Sequence, residues 1–244
     1  MVTKSQIKQI KQLKFKKFRE KTGLFVAEGE KVVLELLQAN FGFHYIFSTI
    51  ENFDIDSVII SNDQMKKITH FKNSSNYLGV FIKPTYNYKI LNESETIVAL
   101  DHVSDPGNLG TIIRTCDWYG VKHIICSRNS VDCFNSKVVQ ASMGSISRVF
   151  CYYLDLPNYL KKSNHMIYGT DLKSRSIYDT SFKKKSVFVF GNESNGISNK
   201  VINITDEQIS IPKKNKVVNS LNIASSVSIL LAENFRQNKK AIRK

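Results

Sequence analysis

The sequence predicts an α/β fold in which a larger domain, built on a parallel sheet, follows a smaller α/β domain. Strand-like and helix-like segments alternate along the 244 residues, which is typical of α/β proteins. The second half contains apolar runs such as TIVALDHV at 96–103, which are typical of parallel strands covered on both faces. Residues 85–95 are polar and lack periodicity, so we expect a linker there.

Residues 1–84 are predicted to form the smaller domain. Its first segment, 4–21, has Ile7, Ile10 and Leu13 at helical spacing and is predicted to be one amphipathic helix. Its basic side chains are interpreted either as a solvated face or as contacts to a polyanion. They are Lys4, Lys8, Lys11, Lys14, Lys16, Lys17, Arg19 and Lys21. The elements that follow are predicted strands at 24–29, 43–48, 57–61 and 77–83, and predicted helices at 30–39 and 63–70.

Residues 96–244 are predicted to form the larger domain. Helical segments separate most of its strands, and a long helix is expected at 219–236. In an open parallel sheet, ligands bind beyond the carboxyl ends of the strands, so we expect functional residues there. After the first strand, further strands are predicted at 123–127, 149–154, 166–172, 186–193 and 208–213.

The charge of the chain favours a polyanionic partner. Lysine and arginine number 35 against 21 acidic residues, for a net charge of +14, and nucleic acid is the commonest partner of such a protein. A membrane surface is the other candidate, but no run of about 18 apolar residues is present that could span a bilayer. The N-terminus lacks the apolar core of a secretory signal, whereas its basic, amphipathic character leaves a mitochondrial presequence open.

The cysteines indicate neither a metal site nor a disulfide framework. None forms a C-x-x-C pair, and all lie in or near apolar stretches. We therefore expect buried free thiols in a reducing compartment and no bound metal. The four residues are Cys116, Cys126, Cys133 and Cys151.

The segment LDHVSDPGNLGTIIRTCDWYG at 100–120 is the first of three that carry chemistry. Its Asp-Pro-Gly-Asn suits a tight turn in which Gly107 has a positive φ and Asn108 caps the following helix. Arg114 lies off the apolar stripe of that helix, so it is either a surface arginine paired with Asp117 or a functional residue. The stripe consists of Leu109, Ile112, Ile113 and Cys116.

The second segment, VFVFGNESNGIS at 187–198, runs from a buried strand into a loop with one acid between two glycines. Gly191 and Gly196 would let the backbone approach a ligand closely, with Glu193 between them. The G-x-G-x-x-G pattern is absent, and no lysine directly follows the second glycine. The segment is therefore neither a dinucleotide fingerprint nor a phosphate loop.

The third segment, ISIPKKNKVVNSLNIASSVSILLAEN at 209–234, passes from a strand through a basic loop into the terminal helix. Ser220 and Asn222 stand where that helix is predicted to begin. Each is interpreted either as a helix cap, which needs no function, or as a functional residue.

In this order, DPGNLGTIIRT, GNESNGIS and IP…NSLNIA resemble the three motifs of the SpoU (TrmH-like) family of SPOUT RNA methyltransferases. The resemblance covers roughly residues 96–236, and ASMGSISRVF at 141–150 and YGTDL at 168–172 also fit. The segment KFREKTGLFVAEGEKVVLELL at 17–37 is similar to that family's accessory RNA substrate-binding domain. The loop KKNKVV, about one residue longer than usual, and Asn219 depart from the family pattern.

The resemblance implies an enzyme that transfers a methyl group from S-adenosylmethionine to a ribose 2′-hydroxyl of rRNA or tRNA. It also implies a SPOUT-type parallel sheet whose C-terminal segment forms a trefoil knot, a rare exception among protein folds. A homodimer, a cytoplasmic location and the absence of metal and membrane partners are expected with it.

The resemblance further implies which residues form the site. Arg114 matches the arginine credited with activating the hydroxyl. Arginine rarely gives up its proton, so base catalysis and electrostatic stabilisation of the alkoxide both stay open. The other positions that match catalytic motif residues are Asn108, Glu193, Ser220 and Asn222. The positions that match cofactor-binding residues are Thr170, Gly191, Ile211 and Leu221.

Two alternatives compete with the enzyme. A non-catalytic RNA-binding or ribosome-associated protein that kept the fold would be equally basic, but it would have little reason to retain the whole motif set. A hydrolase that uses His102 and Asp105 with a serine is disfavoured because no G-x-S-x-G elbow is present. His102 is therefore interpreted as a strand-end histidine without a catalytic role.

Overall fold

The computed structural model describes residues 1–51, 56–215 and 217–242, and the side chains of residues 239–242 lie outside that description. One position of the unusual KKNKVV loop, residue 216, is therefore also outside it. The chain forms two compact units. The first consists of Met1–Thr85 and Asp132–Arg148, and the second contains the rest of the described chain.

The elements follow the predicted alternation closely. The strands are β1 (Leu24–Glu28), β2 (Phe43–Ser48), β3 (Val58–Ile59), β4 (Tyr77–Ile82), β5 (Thr96–Leu100), β6 (His123–Ser127), β7 (Phe150–Leu154), β8 (Met166–Ser176), β9 (Ser186–Phe190) and β10 (Glu207–Ser210). The helices are α1 (Lys4–Gln12), α2 (Lys16–Thr22), α3 (Glu30–Gln38), α4 (Asn62–Ile68), α5 (Pro106–Trp118), α6 (Ser136–Ala141), α7 (Leu156–Lys162), α8 (Asn199–Ile202) and α9 (Ile223–Ile242).

Each unit is built on its own sheet. The first unit has the strand order β1-β4-β2-β3, with antiparallel pairs except for β2 and β3. The second has the order β10-β8-β9-β5-β6-β7, and all of its neighbouring strands are parallel. β5 and β9 lie at its centre and are almost wholly buried, which explains their unbroken apolar sequences. The predicted α/β class with a parallel sheet is confirmed, and the trefoil knot stays a prediction.

The basic N-terminal segment forms two helices, so the prediction of one continuous helix is wrong. α1 ends at Gln12, and α2 starts after Phe15, which has an extended backbone. The break leaves the carbonyl groups of Leu13 and Lys14 without helical partners, and Arg19 Nη1 donates to both, at 2.8 and 2.9 Å. Arg19 is thereby buried and does not belong to the basic surface.

Arg19 also holds Asp132–Arg148, the second stretch of chain that belongs to the first unit. Arg19 Nε and Nη2 each lie 2.7 Å from Asp132 Oδ2, and both side chains are buried. The ring of Phe134 packs against Phe25 at a centroid distance of 4.7 Å. Residues 132–148, which the sequence analysis assigned to the larger domain, therefore complete the core of the first unit.

The segment expected to be a linker is packed against the second unit. Tyr88–Glu93 form a short 3-10 helix, and Leu91 is fully buried in an apolar cluster that includes Ile97 and Val187. The ring of Tyr86 lies 5.1 Å from that of Phe150 in an edge arrangement. One buried leucine in a polar segment is too weak a pattern to be seen in sequence.

The four cysteines are free and buried, as predicted. Burial raises the pKa of the Cys116 thiol well above its usual range, so this side chain behaves as a small apolar group. Within the described ranges, no helix is both long enough and apolar enough to cross a membrane.

We predict that Asp132→Ala strongly destabilises the protein, because it leaves the buried Arg19 guanidinium without its charge partner. Breaking a buried ion pair in this way costs about 3–5 kcal/mol of unfolding free energy. The matched control is Asp63→Ala, which removes an exposed carboxylate 3.4 Å from Lys66 Nζ and should cost less than about 1 kcal/mol. Chemical denaturation measures both losses, and equal losses would contradict the assignment.

Candidate active site

The first site segment begins α5 differently from the sequence prediction. Asp105 is the N-cap, and its Oδ1 accepts the backbone N–H of Asn108 at 2.7 Å. Pro106 takes the first helical position, where its missing N–H costs nothing. Asn108 is therefore inside the helix and is not its cap, and Gly107 is helical without a positive φ. Both of those local predictions are wrong because Asp105 caps the helix one turn earlier.

The Asn108 side chain, released from capping, joins the three motif segments. Its Nδ2 donates to Glu193 Oε1 at 2.8 Å. Its Oδ1 accepts from Nδ2 of Asn222 at 2.9 Å. The structure thus brings three of the predicted catalytic residues into one hydrogen-bonded row, although they are up to 114 positions apart in the chain.

The direction of this row is fixed by the helix that Asn222 caps. Asn222 Oδ1 accepts the backbone N–H groups of Ala224 and Ser225 at 2.9 and 3.3 Å, so its Nδ2 must face Asn108. Asn108 then presents its oxygen to Asn222 and its nitrogen to the Glu193 carboxylate. The capping interpretation of Asn222 is confirmed, and the same side chain also bridges to the first motif.

The loop that carries Glu193 is closed by its own backbone. Asn192 and Gly196 exchange two N–H to carbonyl hydrogen bonds of 2.9 Å each. A Cβ atom on Gly191 would lie only 2.0 Å from the carbonyl carbon of Gly196, and Gly196 has a φ of +68°. The close approach that requires glycine at position 191 is therefore to the chain itself, and it leaves Glu193 exposed at the loop tip.

Three of the predicted cofactor positions share one edge of the sheet. In the sheet, β8 lies between β10 and β9. Gly191 and Ile211 directly follow the last residues of β9 and β10. Thr170 follows the last paired residues of β8 and β9, and its Oγ1 donates to the carbonyl of Val189 at 3.0 Å. The half-exposed Leu221 directly precedes Asn222. These backbone segments fit a ligand bound beyond the carboxyl ends of parallel strands.

Arg114 and Ser220 lie outside the hydrogen-bonded row. Arg114 is exposed, and within the described part of the chain its guanidinium has no hydrogen-bond or ion-pair partner, so the alternative pairing with Asp117 is not formed. Ser220 is exposed beside the start of α9. The apolar stripe of α5 is fully buried as predicted, and α5 contacts α9 through the hydroxyls of Thr115 and Ser228, 3.3 Å apart.

One residue outside the predicted set supports the loops of the site. Asp101, buried at the carboxyl end of β5, accepts the backbone N–H of Ser198 at 2.9 Å and contacts His102 Nδ1 at 2.9 Å. It therefore ties the first motif segment to the second. Its sequence signal was an acid that directly follows an unbroken apolar strand, where an unpaired carboxylate would be costly to bury.

Comparison with known proteins decides the family. The family model for the SpoU rRNA Methylase family matches residues 95–232, and that for the MRM3-like substrate binding domain matches residues 4–79. The chain belongs to the SpoU rRNA methylase family. The predicted family, the class of S-adenosylmethionine-dependent RNA 2′-O-methyltransferase and the cofactor are thereby confirmed. The alternative of a hydrolase finds no support.

Three relatives match most of the chain. The 23S rRNA (guanosine(2553)-2'-O)-methyltransferase RlmP of Bacillus subtilis is 29% identical over 228 residues, which cover 88% of this chain and 90% of the relative. A putative RNA methyltransferase of the TrmH family from Porphyromonas gingivalis is 31% identical, with a TM-score of 0.85 over 96% of this chain and 98% of the other. An AdoMet-bound rRNA methyltransferase from Sinorhizobium meliloti is 28% identical, with a TM-score of 0.83 over 97% and 96%.

We predict that two replacements of Asn222 distinguish the effect of its helix cap from the effect of its contact with Asn108. Serine caps a helix about as well as asparagine but is too short to reach Asn108, whereas alanine removes both contacts and costs about 1 kcal/mol of helix capping. Asn222→Ser should therefore melt like the wild type, and methyl transfer should fall about five- to tenfold in both variants as one hydrogen bond is lost. Thermal melts and methyl-transfer assays test this. Normal turnover of Asn222→Ser would reduce Asn222 to a helix cap.

Proposed function

We propose that this enzyme methylates ribose 2′-hydroxyl groups of ribosomal RNA. The observation that carries the proposal is the hydrogen-bonded row of Asn222, Asn108 and Glu193, which joins all three motif segments at the carboxyl edge of the sheet. Two relatives that match nearly the whole chain, including its first unit, are named for ribosomal RNA. A cytoplasmic location is proposed with this substrate.

The predicted cofactor residues form the proposed methyl-donor site. S-adenosylmethionine supplies a methyl group on a positively charged sulfur when bound. The chain presents backbone at Thr170 in β8, just past its pairing with β9, and at Gly191 and Ile211 directly after β9 and β10. Backbone carbonyl groups suit a cation. Leu221 would cover the apolar side of the ligand, and Ser220 offers it a hydroxyl. The hydrogen-bonded row of Asn222, Asn108 and Glu193 holds the segments after β9 and before α9 in fixed positions relative to α5.

Arg114 is proposed to stabilise the negative charge that develops on the ribose oxygen. Its guanidinium is exposed and, among the described residues, lacks a carboxylate partner that would neutralise it. An arginine side chain carries a positive charge and donates up to five hydrogen bonds, so Arg114 suits an alkoxide or a neighbouring phosphate better than it suits proton removal. Its position on the rigid helix α5 holds it in place relative to Asn108.

We predict that Arg114→Ala lowers methyl transfer by about two to three orders of magnitude while cofactor affinity stays within about twofold. Arg114→Lys keeps the charge but loses the planar fork, so it should also be impaired. The assay follows labelled methyl transfer to ribosomal RNA, and separately to transfer RNA, from a strain that lacks the gene.

The matched control for this assay is Lys122→Ala, which removes an exposed cation at the opposite, amino-terminal edge of the sheet. It should behave like the wild type. Near-normal turnover of Arg114→Ala would remove the catalytic assignment, and transfer to tRNA alone would overturn the choice of ribosomal RNA.

The first unit is proposed to bind the RNA through α1 and α2. The lysines there are exposed, and Phe15 is exposed among them, so the surface offers both charge for phosphates and a ring for an unpaired base. Arg19 is excluded from this surface because it is buried. The exposed lysines are Lys4, Lys8, Lys11, Lys14, Lys16, Lys17 and Lys21.

We predict that neutralising part of this surface reduces the salt dependence of RNA binding. Each lost phosphate contact should lower the slope of log K against log salt by about 0.7–0.9. The test variant carries glutamine at Lys8, Lys11 and Lys14, and the control, with the same change in net charge, carries it at the exposed Lys161, Lys162 and Lys200. A slope that falls equally in both variants would show that only net charge matters.

A homodimer is proposed through α5 and α9. Trp118, the single tryptophan, ends α5 with 85% of its surface exposed. Phe235 on α9 is half exposed, and its ring lies 5.9 Å from that of Tyr119. Exposed aromatic side chains of this kind suit an interaction surface, and a second copy of the chain offers the same side chains in return.

We predict that Trp118→Glu converts the dimer into a monomer, because it places a charge in the apolar contact. Light scattering should then give about one chain mass, 27.9 kDa, against twice that for the wild type. Phe15→Glu, a matched change at an exposed aromatic residue of the first unit, should leave the dimer intact. A monomeric wild type would contradict the proposal.

A further inference from the structure

An aspartate–histidine pair stands at the carboxyl end of the central strand β5. Asp101 is buried, and His102 directly after it is about half exposed, with 46% of its side chain accessible. Asp101 Oδ1 lies 2.9 Å from His102 Nδ1. The other oxygen of Asp101 accepts the backbone N–H of Ser198, so the carboxylate is held from two sides.

The backbone of His102 is held in a conformation that non-glycine residues seldom adopt. Its φ is +60°. Its N–H donates to Ser127 Oγ at 2.9 Å, and its carbonyl accepts from Asn192 Nδ2 at 2.9 Å. Such a conformation persists where the surroundings fix it, and it is commonest at functional sites. Here two neighbouring segments fix it, through Ser127 and Asn192.

The partners of the ring determine which nitrogen carries the proton. The Asp101 carboxylate can only accept, so the neutral ring carries its hydrogen on Nδ1. Nε2 is then left with its lone pair outward, 3.4 Å from Asn129 Nδ2. That contact is long and weak, so the lone pair is available to an incoming hydroxyl group.

The Asp101–His102 pair is connected to the hydrogen-bonded row of Asn222, Asn108 and Glu193. Asn192, which holds the His102 carbonyl, directly precedes Glu193, and Glu193 binds Asn108. His102, in the loop after β5, is therefore joined to the loop that carries Glu193 at the same edge of the sheet. The reaction proposed above releases a proton, and Arg114 is unsuited to accept it.

We propose that His102 accepts the proton of the ribose 2′-hydroxyl, with Asp101 holding the ring in place. This inference rests on the proposed methylation of RNA. As the bond between the ribose oxygen and the methyl carbon forms, the bond from carbon to sulfur breaks, and its electron pair stays on sulfur as a neutral thioether. The hydroxyl proton passes to Nε2, Asp101 stabilises the resulting imidazolium, and the proton then leaves to water. Arg114 stabilises charge on the oxygen meanwhile.

Four charged side chains belong to the segments next to the ring. Asp101 contacts it directly. From the loop after β6, Arg128 lies beside Asn129, and from the loop after β9, Glu193 lies beside Asn192. Asp105 is the other acid of the loop between β5 and α5.

The test uses two replacements that fit a positive φ, His102→Asn and His102→Gly. Both should bind cofactor and RNA within about twofold of wild type, while the rate of methyl transfer falls about 100-fold or more, as for loss of a general base. The wild-type rate should rise with pH through one ionisation that both variants lack. Added imidazole should restore part of the rate of His102→Gly, which a merely structural role would not allow.

The outcomes separate this inference from the proposed function. If the wild type is active and both variants have the same turnover and the same pH profile as the wild type, His102 does not have this role. The methyltransferase activity would then still stand. Slow variants whose residual rate keeps the wild-type pH dependence and is not raised by imidazole also overturn the role of His102. Wild type that transfers no methyl group to any RNA overturns both.

Discussion

The candidate site depends on one constraint: three segments far apart in the chain must meet at one edge of a parallel sheet. Parallel strands bring their carboxyl ends to the same edge, and the row of Asn222, Asn108 and Glu193 then fixes the loops relative to one another. The row has a single direction because Asn222 uses its oxygen to cap α9. Helix capping is a purely local interaction. Here it sets the orientation of a hydrogen bond between residues that are 114 positions apart in the chain.

Most of the strands could be predicted because their signal is local. TIVAL and SVFVF lie at the centre of a sheet covered on both faces, so every residue after the first is apolar and the run is visible without any partner. The break between α1 and α2 could not be predicted in this way. It depends on Arg19, whose carboxylate partner lies 113 positions away, and no local pattern announces a contact of that range. For the same reason, sequence alone could not assign residues 132–148 to the first unit.

The site residues likewise divide into those that the sequence could predict and those that it could not. Motif resemblance selected Asn108, Glu193 and Asn222, and the structure brings them together, but the resemblance carried no geometry. It could not tell that Asp105 rather than Asn108 caps α5, since an acid before proline and an asparagine after glycine are both acceptable caps. Nor could it indicate the Asp101–His102 pair, because the unusual backbone of His102 is imposed by Ser127 and Asn192. Tertiary contacts, not local preference, select these conformations.

The most direct test of the account is a map of ribose 2′-O-methylation across ribosomal RNA. It compares cells that contain the gene, cells that lack it, and cells in which the gene carries Asn108→Ala. The account predicts that at least one ribose methylation disappears without the gene and stays absent with Asn108→Ala, while the variant protein is still made and folded. An unchanged map in cells that lack the gene would contradict the proposed substrate. Full methylation by the Asn108→Ala protein would contradict the central role of the hydrogen-bonded row.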